Sequence, residues 1–101
     1  MNRVQVIWST EALVDLEVIY DFLAEHSHRA AQKTILKILT RVKQIEAFPE
    51  SGAVQLELAR SDKEYRYLVE GNYKIVYRVT DKQVYIVAVF DTRYDPDKLN
   101  V

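Results

Sequence analysis

The stretch EYRYLVEGNYKIVYRVTDKQVYIVAVF, residues 64–90, decides the fold. β-Branched and aromatic residues alternate along it, so it reads as three strands: Tyr65–Val69, Tyr73–Thr80 and Gln83–Phe90. Gly71-Asn72 and Asp81-Lys82 separate them as two-residue hairpin turns. Such tight turns fix a register. Thr80 is expected opposite Gln83, Arg78 opposite Tyr85, Lys74 opposite Val89, Val69 opposite Lys74, and Tyr65 opposite Arg78. One face then carries Leu68, Tyr73, Ile75, Tyr77, Val79, Val84, Ile86, Ala88 and Phe90, a nearly apolar set that must be covered. The other gathers Tyr65, Tyr67, Val69, Lys74, Val76, Arg78, Tyr85, Val87 and Val89, and Asp91 and Arg93 join it if the last strand continues.

The covering layer comes from the N-terminal half. Val4–Trp8 is a short apolar strand, after which Ser9 or Thr10 caps a helix by accepting an orphan backbone N–H. Ala12, Leu16, Ile19, Tyr20 and Leu23 follow the helical period. Ser27 offers a second cap, and Ala31, Ile35, Ile38, Leu39, Val42 and Ile45 carry the rhythm to Phe48, where Pro49 forbids continuation. The order β-α-α-β-β-β predicts an α+β fold, a helical hairpin packed on one face of an antiparallel sheet. The hairpin is segregated by charge. Glu11, Asp15, Glu17, Asp21 and Glu25 fall on the first helix, and Arg29, Lys33, Lys37 and Arg41 form a stripe on the second. These flanks are expected to be solvated and to attract each other across the hairpin; the functional alternative is that one stripe docks a partner.

Composition narrows the function. A chain of 101 residues is expected to form a single domain spanning 1–101. With no cysteine it has no disulfide framework, thiolate zinc site or cysteine nucleophile. No apolar run is long enough for a membrane span, so a cytoplasmic protein without a membrane partner is expected. The net charge of -1 does not suit wholesale electrostatic binding to a phosphate backbone.

Few residues invite chemistry. His26 and His28 stand at a helix boundary without partners at ligand spacing, so no metal is expected. Ser9, Ser27, Ser51 and Ser61 fall at caps or loops, and no glycine-rich phosphate loop is present, so no cofactor is implied. Carboxylate pairs such as Asp15 with Asp21, or Glu17 with Asp21, read as solvated. Lys74, Arg78, Asp91 and Arg93 converge on the sheet, where ammonium and guanidinium groups can hold phosphate or carboxylate. No general base with a near-neutral pKa accompanies them. Contacts with a target or partner are expected from Arg66, Tyr67, Lys74, Val76, Arg78, Tyr85, Val87, Asp91 and Arg93.

At these residues the sequence resembles the RelE/ParE superfamily of bacterial toxins, closest to its ParE-type branch. EALVDLEVIYDFLAEHSHRAA and IEAFPESG are similar to the helical segment and following turn of ParE-type members. EYRYLVEGNYKIVYRV and VYIVAVFDTRYDPDKL are similar to their C-terminal sheet. The resemblance implies the β-α-α-β-β-β fold, a cognate antitoxin that wraps the toxin into a hetero-oligomer, and one of two targets. ParE-type members poison DNA gyrase and are not nucleases; RelE-type members cut mRNA on the ribosome. Lys74 and Arg93 fall where RelE-type toxins carry catalytic arginines, and would be the catalytic residues of an endoribonuclease. Tyr65 and Tyr67 replace catalytic lysines, and Leu99 stands near the position of a C-terminal tyrosine. Those losses and the net charge favour gyrase, with ribosome-dependent cleavage or a non-toxic interaction module as alternatives.

Overall fold

The computed structural model describes residues 4–54 and 64–93. Its elements are β1 (Gln5–Trp8), α1 (Thr10–Ala24), α2 (His28–Ala47), β2 (Ala53–Val54), β3 (Glu64–Glu70), β4 (Tyr73–Val79) and β5 (Gln83–Asp91). The capping serines act as their chemistry dictates: Ser9 Oγ accepts the Ala12 amide at 3.0 Å, and Ser27 Oγ accepts that of Ala30 at 3.1 Å. α2 ends at Ala47, two residues before Pro49. Ala31, Ile38, Val42 and Ile45 give α2 its buried stripe, and Ala12 and Ile19 do the same for α1. Of these, Ala12, Ile19, Ile38, Val42 and Ile45 close over Ile75, Tyr77, Val84, Ile86 and Val89 of the sheet.

The strand order is β1-β5-β4-β3-β2. The sheet is mixed where an antiparallel one was expected. The helical hairpin returns the chain to the sheet far from β1, and β1 then lies parallel to the last strand, Gln5 beside Gln83 and Trp8 beside Ile86. The Gly71-Asn72 turn forms as a two-residue loop joining Glu70 to Tyr73, with Gly71 at φ 61°. A positive φ at the first turn position is what favours glycine there.

The register holds from Glu64 to Ile86 and then changes. Arg78 faces Tyr85 and Tyr77 faces Ile86, but Val76 faces Ala88, leaving Val87 as an extra residue. This β-bulge turns over the end of β5. Val89, expected on the outer face, is buried beneath the helices, whereas Ala88 and Phe90, expected in that core, join Val76 in a second apolar cluster outside. Lys74 consequently faces Phe90, not Val89, and Asp91 comes into register with Tyr73 of the helix-side cluster. A tight-turn argument cannot register an inserted residue.

The charged flanks of the hairpin do not meet. Arg41 pairs instead with Glu70 of β3, while Arg66 pairs with Glu64 and Arg93 with Asp91. Arg29, Lys33 and Lys37 are exposed and pair with no acid of α1. No helix among the described residues is long and apolar enough to cross a membrane.

Tyr77 pins the loop after α2 to the sheet. Its ring is fully buried, and its hydroxyl donates to the Pro49 carbonyl at 2.8 Å and accepts the Gly52 amide at 2.9 Å. Burial pushes the phenol above its ordinary pKa. A Cβ on Gly52 would overlap that hydroxyl and lie 2.6 Å from the Tyr67 carbonyl oxygen. Tyr77→Phe strands one donor and one acceptor and is expected to cost about 1–3 kcal/mol in urea unfolding. Gly52→Ala is expected to cost more. Combining the two relieves only part of that loss, because the backbone clash with Tyr67 remains.

Candidate functional site

The outer sheet face is built mainly by β3, β4 and β5. Pleating sends Tyr65, Tyr67 and Val69 of β3, and Lys74, Val76 and Arg78 of β4, to the same side. The bulge adds Val87, Ala88 and Phe90 from β5. Val76, Ala88 and Phe90 are buried there, with Tyr65, Tyr67 and Val87 packed against them. The face is therefore a small apolar floor bordered by tyrosines. It is not the row of exposed valines that alternation alone predicts; Val76 is only 2% exposed.

Two cations sit on this floor, each over an aromatic ring. Lys74 Nζ lies 3.9 Å from the centroid of Tyr67, and the Arg78 guanidinium carbon lies 4.4 Å from that of Tyr85. Such contacts contribute roughly 0.5–2 kcal/mol each according to their exposure. They leave the hydrogen-bond donors of the cations available to an anion. Tyr85 is fixed by donating to Gln83 Oε1 at 2.6 Å, and Gln83 Nε2 donates to Gln5 Oε1 at 3.3 Å. The strand positions of this face supply phenols and cations but no carboxylate and no imidazole. Glu64 and Glu70 face Val79 and Tyr73 on the helix side. This arrangement can bind a phosphate or carboxylate surface, but its strand residues offer no neutral-pH proton acceptor.

Other expected site residues lie elsewhere. Arg66 faces Tyr77 and belongs to the loop clamp, donating to Glu64 and, at 2.8 Å, to the Gly52 carbonyl. The hydrogen bond to Glu64 raises its pKa further. Arg93 leaves the face with Asp91: its Nε and Nη2 donate to the two carboxylate oxygens at 3.0 and 2.8 Å, and its backbone N–H donates at 2.9 Å. Arg93 thus holds the Asp91 carboxyl below the usual carboxylate range. Thr92 anchors the same segment, its amide and hydroxyl both donating to the Asn72 carbonyl. The expected convergence of four charged groups is thereby divided into Lys74 with Arg78, and Asp91 with Arg93. Leu99 lies outside the described residues.

Asp15 is not half of a solvated carboxylate pair. Its Oδ2 accepts the Val89 amide at 2.9 Å. His28 lies against Tyr20 in the helical hairpin, with its Nδ1 3.5 Å from the phenol oxygen. The cation–π seats escaped sequence reasoning because the rings and cations lie on different strands; the Arg78–Tyr85 pairing was the one signal available.

Comparison with known proteins places these features in a lineage. Residues 6–96 match the family model described as ParE toxin of the type II toxin-antitoxin system parDE. The chain is 33% identical over 85 residues to Toxin RelE2 of Caulobacter vibrioides, covering 84% of this chain and 91% of that protein. Among solved structures it resembles the chromosomal ParDE toxin-antitoxin system from P. aeruginosa, with a TM-score of 0.69, 21% identity, and coverage of 88% of this chain and 96% of that one. It also resembles the YoeB dimer of Staphylococcus aureus, with a TM-score of 0.54, 20% identity, and coverage of 85% and 93%.

The Asp91–Arg93 pair makes a pH-dependent prediction. Because the folded carboxyl has a lowered pKa, its stabilisation is complete above the unfolded value of about 3.9 and is lost as pH falls through the folded value. Asp91→Asn is expected to lower stability by about 0.2–1 kcal/mol near neutrality, since Arg93 is half exposed. Thermal melts of the two proteins should converge in acid below that range.

Proposed function

Because the chain belongs to the ParE toxin family of type II toxin-antitoxin systems, we propose that it arrests growth by binding DNA gyrase through the outer face of its sheet. The antitoxin is the partner that defines such a system, and in this reading it neutralises the toxin by covering the same face. The carrying observation is that Lys74 and Arg78 are each seated on a tyrosine ring, on a face whose strand positions hold no carboxylate or imidazole. Cations held in this way suit docking to an anionic surface, and a hydrolytic step would need a proton acceptor that these strands do not offer. A net charge of -1 also suits a protein target better than a phosphate-lined cavity.

Ribosome-dependent mRNA cleavage is the second reading. It is favoured by Lys74 and Arg93, at positions where RelE-type toxins carry arginines, and by the identity to a relative called RelE2. Supercoiling by purified gyrase and protein synthesis in a cell-free system distinguish the two readings. Gyrase poisoning predicts lost supercoiling with translation intact; cleaved mRNA with supercoiling untouched would overturn it. Lys74→Ala and Arg78→Ala should each reduce growth arrest at least tenfold, with little change in melting temperature. Arg93→Ala tests the tail separately: full toxicity in that variant assigns the residue to the fold, and lost toxicity at unchanged stability assigns it to the target.

A further inference from the structure

The helical layer, on the far side of the sheet from that face, carries two lines of residues that mirror one another. On α1 and its C-terminal cap, Glu11, Val18 and Glu25 recur every seven residues; on α2, Arg29, Leu36 and Lys43 do the same. Seven residues return to nearly the same side of a helix, about 10.5 Å further along. Each line is therefore a charge, an apolar side chain and a charge, at equal spacing and with opposite sign. All six residues are exposed, Val18 at 61% and Leu36 at 63%. None of the four charges takes part in the ion pairs among the described residues.

The numbering adds a symmetry. Glu25 with Arg29, Val18 with Leu36, and Glu11 with Lys43 are each centred on Ser27, where the hairpin folds back. Members of each couple consequently lie at about the same height along the antiparallel helices. A two-fold axis parallel to the helices preserves height and lays α1 of one copy over α2 of the other. Every acid then meets a base, and Val18 meets Leu36, twice over. Two α1 lines facing each other would set acid on acid instead, so the pattern selects this one arrangement.

We propose that the helical hairpin is a self-complementary surface through which two copies of the chain pair as a four-helix layer, with α1 of each against α2 of the other. The site is independent of the target-binding face and holds whichever target that face takes. It leaves the cation-bearing sheet of both copies facing outward.

Sedimentation of the purified full chain at tens of micromolar tests this. A species of twice the 11.8 kDa chain mass is expected, weakening in high salt. Val18→Asp and Leu36→Asp should each weaken association at least tenfold while leaving far-UV circular dichroism unchanged. Glu11→Lys with Glu25→Lys should give monomers, as should Arg29→Glu with Lys43→Glu. The chain bearing all four charge reversals should dimerise again, because both lines then change sign together. That rescue separates pairing from general damage to the fold. A wild-type chain that stays monomeric, a dimer that survives Leu36→Asp, or a fourfold variant that stays monomeric would each overturn the proposal. Monomers whose Val18 and Leu36 variants lose antitoxin affinity would overturn it too, and give the surface to the antitoxin.

Discussion

The hydrogen bond from the Val89 amide to Asp15 governs how the rest of the sheet is displayed. β1 is four residues long and stops at Trp8, so β5 runs on past its neighbour with polar backbone to satisfy. Ser9 takes over at once, its amide donating to the Ile86 carbonyl at 3.0 Å. The carboxylate from the next turn of α1 then takes Val89. Between these two points lies Val87, the inserted residue. A bulge on an unsupported edge would leave an unpaired amide or slip in register. Here α1 supplies the acceptor, and the same helix lays Ala12 and Ile19 over the core that Val89 enters. The composition of the outer face follows from this anchoring.

Much of this was legible in the chain. Alternation, two short turns and the caps at Ser9 and Ser27 predicted every element except β2, whose two residues are too few to show a period. The register was legible to Ile86, because tight turns count residues reliably. Beyond it, alternation misplaced Ala88, Val89 and Phe90, since they are all apolar and pattern alone cannot show which pair is turned inward. The parallel pairing of β1 was hidden for a different reason: nothing local in Val6 or Ile7 encodes a neighbour some eighty residues away. The candidate site was half legible. Lys74, Arg78, Tyr67 and Tyr85 were identified by face, but their stacking depends on geometry across strands. Arg66 and Arg93 belong to anchors, for reasons visible only once the loop and tail are placed.

The outer face combines features that usually compete. A floor of Val76, Ala88 and Phe90 asks for apolar cover, while Lys74 and Arg78 ask for water or an anion. The tyrosines reconcile them, shielding the floor with their rings and holding the cations over their π faces. A ligand of this face would therefore meet cations already oriented over rings. Preorganisation of this kind reduces the ordering cost of association. Family membership supplies an antitoxin partner, and the proposed reading seats it on this face, which combines apolar area and charge.

The pairing of β1 with β5 also fixes when the molecule can exist. Gln5 waits for Gln83, so the first and last strands must meet before the sheet has its full width. Closing so long a loop is entropically unfavourable until the intervening elements have drawn the ends together. During synthesis, at about 5–20 residues per second, the helical hairpin is complete while the strands that will carry Lys74, Arg78 and Tyr85 are still unmade. A truncated nascent chain has a hairpin with no sheet to cover and none of the cation-bearing face. The cation-bearing face is thus made only after the helical hairpin, and a message terminated before β4 yields a chain that lacks it.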